Sequence, residues 1–238
     1  MKRISILAIC MVMVVAVGCG GNSNSKKAST GGETKAVKES SEAVDLGLSV
    51  KWAKTNLGAK TADDPGNYYA WGETVAKKDF SSETYKFKDG YKMKKYVIYD
   101  DAATSGTADK LIVLEAEDDA AAAALGKGWR MPTRAEALEL FEKCTLSFDK
   151  PGVVTVTGPN GNSIDFPKSG YYSGTKQEEA NNVWVWTASM GLRSGTPVGE
   201  VNSIDWHEYR QGDAICFGHK DCYCLYRSSG VPIRPVKE

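Results

Sequence analysis

A proline inside Gly128–Thr133 divides what would otherwise be one long helical region. Pro132 has a fixed φ and disfavours the helical conformation at Met131, so a helix that runs into this stretch cannot continue through it. Thr133 is a favoured N-cap residue, and Glu136, three positions later, completes a capping box. Apolar residues then recur at helical spacing. The sequence therefore predicts a second helix from residue 133 to residue 143 or 144.

An alanine-rich helix is predicted on the other side of this break, over Glu115–Leu125. Ala120–Ala124 has high helix propensity, and Gly126 and Gly128 are typical of the end of a helix. Trp129 has a large apolar surface, which favours a buried position at the joint between the two helices. The segment is thus predicted to have a structural role rather than a catalytic one.

The N-terminus has the pattern of a secretory signal followed by a tether. Residues 1–18 combine two basic residues with an apolar stretch that is too short for a comfortable membrane span. Small residues directly before Cys19 resemble a bacterial lipobox, so Cys19 is predicted to carry a lipid anchor; the alternative is an ordinary secretory signal with an incidental cysteine. Residues 19–43 have few apolar side chains and are predicted to be a flexible tether. Residues 44–238 are predicted to form one domain.

These features predict a protein of the cell envelope that is anchored by lipid to the outer membrane. No acidic run follows Cys19, which leaves the periplasmic and the surface-exposed face both open. The 30 basic and 30 acidic residues are interspersed and give a net charge of zero. Because no basic face dominates, a nucleic-acid partner is not expected. The predicted partners are the membrane, through the lipid, and a ligand of the domain.

Beyond residue 144 the pattern changes to short strands and turns. β-branched residues predict a strand over Val153–Thr157, and Asn160-Gly161 predicts the hairpin turn that leads back along Ser163–Pro167. Val183–Ser189 is the clearest strand of the chain. Further short strands are predicted at 201–209, 213–217 and 223–226.

Residues 77–109 give a much weaker pattern, because lysine, serine, threonine and acidic residues alternate without a clear period. One strand is predicted, ending at Val97–Tyr99. An acidic loop with Asp100, Asp101 and Asp109 is predicted to be a solvated insertion. Calcium binding is the alternative for this loop, because hard cations prefer clustered oxygen ligands, but the spacing differs from that of an EF-hand.

Several of these stretches, in this order, resemble a family of secreted bacterial domains of the FISUMP type. The resemblance covers nearly all of residues 44–238 and rests on Val44–Ala53, Tyr68–Glu73, Trp129–Thr133 with Glu136, Asn160-Gly161, Gly170-Tyr171 and Ile233–Val236. It implies a C-type-lectin-like α+β fold, in which two helices pack on a twisted, mostly antiparallel sheet with long loops and the terminal strands lie close together. The order of helices before strands independently favours an α+β class. Functions in this family are mostly unassigned, so the resemblance transfers a fold and little else.

Loops late in the chain are the first candidate for a binding site, because loops on a rigid scaffold commonly carry recognition. The candidate residues are consecutive and include types found in binding hot spots: Trp206, His207, Glu208, Tyr209 and Arg210. A glycan is one predicted ligand, since a flat aromatic ring can stack on a sugar, and a protein is the other. The alternative for Trp206 is a core position. The Glu-Pro-Asn and Trp-Asn-Asp signature of calcium-dependent lectins is missing, so no metal or cofactor is predicted.

Four cysteines of the domain are the second candidate. They are Cys144, Cys216, Cys222 and Cys224. Disulfides or buried thiols are predicted, because a secretory compartment is oxidising and the spacing lacks a zinc knuckle. Zinc binding by the three late cysteines with His219 is the alternative. A bridge between Cys216 and Cys222 and another between Cys144 and Cys224 would use all four, although the sequence does not fix the connectivity.

An oxidative enzyme is the alternative to a binding protein. The region of Cys216, Cys222, Tyr223 and Arg227 resembles the cysteine region of formylglycine-generating sulfatase-modifying factors, which share the C-type-lectin-like fold. The separation of the two cysteines departs from that family by one residue, and its other functional residues have no counterpart here. The sequence has neither a Gly-x-Ser-x-Gly elbow nor a phosphate-cradling loop. The predicted function is therefore non-catalytic binding, with a structural or adhesive subunit as a further alternative.

Overall fold

A computed structural model describes residues 41–190, 192–193, 196–197, 211–216 and 221–238, with side chains described for 41–190 and 225–238. The described residues belong to one compact unit. The first strand begins at Ala43, one residue before the predicted start of the domain. The predicted signal peptide, the lipidation site Cys19, most of the tether and the candidate segment Trp206–Arg210 lie outside the described residues.

In the described part of the chain, two helices and many short strands form an α+β structure, as predicted. The helices are α1 (Ala120–Leu125) and α2 (Arg134–Lys143), and three single 3-10 turns lie at Ser82–Thr84, Asp100–Ala102 and Ala116–Asp118. The strands are β1 (Ala43–Val44), β2 (Lys51–Ala53), β3 (Tyr68–Tyr69), β4 (Lys88–Asp89), β5 (Lys92–Met93), β6 (Trp129–Arg130), β7 (Thr145–Ser147), β8 (Val153–Thr157), β9 (Ser163–Pro167), β10 (Tyr171–Ser173), β11 (Lys176–Glu178), β12 (Trp184–Met190), β13 (Leu192–Arg193), β14 (Thr196–Pro197), β15 (Gln211–Cys216), β16 (Asp221–Tyr226), β17 (Val231–Pro232) and β18 (Val236–Lys237). Every pairing between these strands is antiparallel. Neither helix of the described part has the length and hydropathy that crossing a bilayer requires.

The two ends of the domain meet in one sheet, whose strand order is β1-β2-β18-β6. Val236 pairs with Trp52 on one side and with Arg130 on the other. The last strand, β18, thus lies beside β2 from the N-terminal end, so the terminal strands lie close together as the resemblance implied. The proline-broken stretch between the helices is therefore also a strand, and Trp129 is buried there with the Lys237 ammonium 5.5 Å from its ring centroid.

The capping box at the start of α2 is confirmed. The Thr133 side chain accepts a hydrogen bond from the Glu136 main chain, and Glu136 accepts one from the Thr133 N–H at 2.8 Å. The predicted start of α1 at residue 115 is wrong. Asp119 is its N-cap, because one carboxylate oxygen accepts bonds from Ala121 N and Ala122 N at 2.8 and 3.0 Å. The residues before Asp119 form a separate 3-10 turn.

Two hydrophobic clusters form the core. In the larger one, the Trp186 indole N–H donates to the Tyr69 carbonyl at 2.8 Å, and the Trp71 indole N–H donates to the Thr187 carbonyl at 2.9 Å. These reciprocal bonds join the β3 segment to β12 and satisfy the indole donors inside the protein. The second cluster contains Leu46, Trp52, Ala137, Leu140, Val154, Val156, Ile164, Phe166, Val183, Val185 and Val236. The aromatic segment after residue 67 contributes Tyr69 and Trp71 to the larger cluster.

The predicted acidic loop is solvated at Asp100, Asp101 and Asp109, although Ala102 and Ala103 within it are buried. The prediction of a strand that ends at residue 99 is wrong. Segment 77–109 supplies many members of the larger cluster: Phe80, Tyr85, Phe87, Met93, Tyr96, Val97, Ala102 and Ala103. Asp109 explains the missing strand, because its carboxylate accepts bonds from Tyr96 N at 2.6 Å and Val97 N at 2.8 Å. Tyr96 itself has φ 60°, which is incompatible with an extended strand.

The hairpin predictions are confirmed where the chain is described. β8 and β9 pair from Thr157 opposite Ser163 to Val153 opposite Pro167, around the predicted Asn160-Gly161 turn. β12, β15 and β16 correspond to the predicted strands near 183–189, 213–217 and 223–226. The polar segment 175–182 contains β11, which pairs with the preceding strand β10.

Candidate functional site

An open cleft of about 290 Å³ lies between the 3-10 turn at Ser82–Thr84, the end of β10 and the segment after β16. Its lining residues are Phe80, Ser81, Ser82, Tyr85, Lys88, Met93, Ser173, Gly174, Tyr226, Arg227, Ser228 and Ser229. The cleft is thus assembled from segments about 50 to 150 positions apart in the chain.

Main-chain bonds hold these segments together. Phe80 N donates to Gly174 O at 2.9 Å, and Tyr172 N donates to Gly230 O at 2.8 Å. Gly230 packs so closely on the Phe80 ring that a Cβ atom at this position would collide with it. The wall of the cleft is therefore fixed by backbone pairing and by a close glycine–phenylalanine contact.

The floor of the cleft is buried and carries one cation. Arg227 and Tyr85 are both buried, and the Arg227 guanidinium carbon lies 5.3 Å from the ring centroid of Trp71. The Tyr85 hydroxyl donates a hydrogen bond to the Trp71 carbonyl at 2.9 Å. Burial raises the pKa of Tyr85 well above its ordinary value, so the phenol stays neutral at physiological pH. Burial lowers the pKa of Arg227, yet a guanidinium remains protonated near neutral pH.

The rim of the cleft carries a second cation and an exposed aromatic ring. The Lys88 ammonium donates to Ser82 Oγ at 2.6 Å and to Glu83 Oε1 at 2.9 Å. The Ser82 hydroxyl donates to the same Glu83 oxygen at 2.9 Å. The bond from Lys88 is the main cause that lowers the pKa of Glu83 to about 2. On the opposite side, Tyr226 leaves 47% of its surface exposed.

The described lining residues supply groups that can contact a ligand. Five serine hydroxyls, exposed and buried aromatic rings and two cations line the cleft, whereas its described lining includes no histidine, cysteine or carboxylate. What the arrangement offers is a stacking surface, hydroxyl hydrogen bonds and positive charge.

The predicted loop site cannot be compared directly with this cleft, because Trp206–Arg210 lies outside the described residues. The described chain resumes at Gln211, which pairs with Tyr226 on the cleft rim. The first residue after the predicted binding segment is therefore the strand partner of a lining residue. The residues of the cleft itself, apart from Arg227, were not among the sequence candidates.

The four domain cysteines are only partly described. Cys144 is a free thiol and is half-buried, and burial raises its pKa. In the β15–β16 hairpin, Cys216 is opposite Asp221 and Cys222 is opposite Ile215. Cys216 and Cys222 are therefore one position out of register with each other, and a bridge between them stays a prediction. The predicted bridge between Cys144 and Cys224 does not agree with the free Cys144 thiol.

An acidic cluster of Glu115, Glu117 and Asp118 has the geometry of a cation site, but a lysine occupies it. The Lys95 ammonium lies 2.5 to 2.8 Å from an oxygen of each of the three carboxylates. Lys86 and the Tyr96 hydroxyl also bond to Asp118, each at 2.7 Å. The cluster thus has its counter-charge from the chain itself and acts as a structural network.

The acidic residues that suggested a calcium site are used for turns. Both oxygens of Asp109 accept main-chain bonds, as described above, and Asp100 accepts one from Ala108 N at 2.8 Å. Such bonds mimic backbone turns. The structure therefore gives these two carboxylates a local role in shaping the loop.

No protein-family model, no curated protein and no solved structure matches this chain.

Proposed function

We propose that this chain is a lipid-anchored, non-catalytic protein of the cell envelope that binds a glycan in the cleft beside Tyr226. The cleft supports this proposal by its composition, since exposed aromatic surface and several hydroxyls converge in one concave site. Small-molecule sites combine such apolar walls with a few polar groups that fix orientation. A volume of about 290 Å³ suits one or two sugar units.

The single observation that carries the proposal is the pairing of an exposed ring with hydroxyl groups. Tyr226 can stack on the apolar face of a sugar, while Ser173 and Ser228 lie in the same cleft as donors and acceptors for its hydroxyls. The adjacent strand partner, Gln211, is the residue that follows the predicted binding segment. A binding surface that includes both regions would agree with the prediction of late-loop recognition.

The location is proposed from the N-terminal sequence. A signal of 18 residues, a lipidated Cys19 and a polar tether would hold the domain at the outer membrane while leaving the cleft free. The membrane is then a partner through the lipid alone. A protein ligand, a structural role and the oxidative enzyme remain outcomes that the following experiment can favour.

A glycan array probed with the detergent-extracted full chain tests this function. We expect selective binding to a small set of glycans, at least tenfold weakened by Tyr226→Ala. The matched control is Tyr91→Ala, because Tyr91 is 83% exposed and does not line the cleft. Equal loss in both variants, or no glycan bound by the wild type, would overturn the proposal. A protein captured with the same dependence on Tyr226 would assign the cleft to a protein ligand instead.

A further inference from the structure

We propose that the ligand of this cleft is an acidic glycan, and that Glu83 holds the place of its carboxylate in the free protein. This inference rests on the proposed function, because it names the class of ligand for the same cleft. The geometry behind it is the contact of one exposed carboxylate with two groups that line the cleft, Lys88 and Ser82.

Glu83 is placed at the cleft without being part of its lining. Its side chain is 76% exposed, whereas the Lys88 side chain that it contacts is only 21% exposed. One carboxylate oxygen accepts from Lys88 Nζ and from Ser82 Oγ, both at 2.9 Å. Its other hydrogen bond is to its own main chain, within the short 3-10 turn. An exposed side chain with these contacts can leave by rotation about its own bonds, with no change in the core.

The charges of the lining favour an anion. Lys88 and Arg227 are its cations, and no carboxylate is among its described residues. A neutral ligand would leave the contact between Lys88 and Glu83 in place. A carboxylate on the ligand would replace Glu83 on Lys88 and Ser82, and so exchange one anionic acceptor for another. Exposed ion pairs contribute little to stability, which makes the exchange inexpensive.

The exchange makes Glu83 an internal competitor. A ligand binds more weakly when the competent form is only a fraction of the population, and removing the competitor restores the intrinsic affinity. We therefore expect Glu83→Ala to tighten binding of an acidic glycan about three- to tenfold. Lys88→Met should weaken binding of the acidic glycan about tenfold, because charge-assisted hydrogen bonds are the stronger ones. The affinity for the neutral counterpart should change by less than about twofold.

Titration calorimetry on the full chain, with paired probes, tests the inference. The pairs are trigalacturonate with its methyl ester and 3′-sialyllactose with lactose, together with any acidic glycan found on the array and its neutral counterpart. Glu42→Ala is the matched control, because Glu42 forms an exposed 2.9 Å pair with Lys54 and does not line the cleft. Lys88→Arg should keep the preference that Lys88→Met removes.

The expected result is an acidic member bound at least tenfold more tightly than its partner, tightened further by Glu83→Ala and unchanged by Glu42→Ala. Equal affinity within each pair, binding of neutral glycans alone, or a Glu83→Ala effect below twofold would overturn this inference and leave glycan binding in place. Failure of every glycan to bind the wild type would overturn the proposed function as well. Added salt should weaken only the acidic members.

Discussion

Arg234 is the buried charge on which the end of the fold depends. Its side chain is fully buried, with the guanidinium carbon 4.1 Å from the ring centroid of Phe166. Four oxygens accept its hydrogen bonds: Asn56 Oδ1 at 2.7 Å, Asp165 O at 2.9 Å, Lys54 O at 3.0 Å and Ala53 O at 3.1 Å. Burial lowers the pKa of Arg234 to about 9, which still leaves the group charged at neutral pH.

Arg234→Met removes the donors while keeping most of the apolar contact with Phe166. Four acceptors then lose their partner, and an unsatisfied buried group costs about 1 to 3 kcal/mol. The Lys54 and Asp165 bonds are only partly buried, so water can compensate there and the lower value applies. We expect a loss of about 4 kcal/mol in the free energy of unfolding, against a total of about 5 to 15 kcal/mol for a domain.

Equilibrium unfolding in urea, followed by tryptophan fluorescence, measures this loss. With a slope of about 3 kcal/mol per molar, the midpoint of Arg234→Met should fall by about 1.3 M. Lys237→Met is the control: it is also cationic and lies three residues later, but it is only half-buried, so its midpoint should move by less than about 0.3 M. Arg234→Lys should lie between them, because three ammonium donors cannot satisfy four acceptors. A loss below about 1 kcal/mol in Arg234→Met would refute the claim that these oxygens depend on the guanidinium.

Three further predictions concern stability, helix capping and the free thiol. Burial tends to raise the pKa of Asp118, but Lys86, Lys95 and Tyr96 outweigh it and hold the pKa below its ordinary value. The stabilisation by Asp118 is therefore complete above about pH 4 and is lost as pH falls through the lower pKa of the folded state. In urea titrations at decreasing pH, Asp118→Asn should therefore lose less free energy of unfolding than the wild type. In the same assay, Thr133→Ala should lower the free energy of unfolding by about 1 kcal/mol and Thr133→Ser by much less, because serine keeps the helix cap. Equal losses in the two variants would contradict a capping role for Thr133. Because burial raises the pKa of Cys144, it should alkylate slowly in the folded chain and rapidly in denaturant without reductant; mass spectrometry showing an unmodified Cys144 in denaturant would indicate a disulfide.

The parts of the fold that could be predicted are those decided by neighbouring residues. The capping box needs only Thr133 and Glu136, and the β8–β9 hairpin needs a turn at Asn160-Gly161 between two alternating segments. In both cases the groups that satisfy one another lie within a few positions. The α+β class followed from the order of such segments.

The errors fall where partners are distant in sequence. Trp129 and Arg130 look like a joint between helices, and only the arrival of β18 more than one hundred residues later makes them a strand. The sequence of segment 77–109 suggests a solvated region because lysines are spread among its aromatic residues. In the structure, Lys86 and Lys95 form ion pairs with Asp118, later in the chain, and Phe87 and Tyr96 are buried in the core. A polar composition therefore hid a core segment whose charges are neutralised by another part of the chain.

The cleft escaped prediction for the same reason, and its chemistry shows why. Serine, lysine and tyrosine are ordinary surface residues, so no single lining position is conspicuous in the sequence. The one usable signal is Arg227, which begins a closing segment in which nearly every residue is buried. An arginine in such a segment must either be enclosed by acceptors, as Arg234 is by four oxygens, or face a site. Arg227 contacts the Trp71 ring and donates to the Lys95 carbonyl at 3.5 Å, and it also borders the cleft that we propose as the binding site. The two arginines, seven positions apart, are thus both held inside the protein, and only Arg227 borders this cleft.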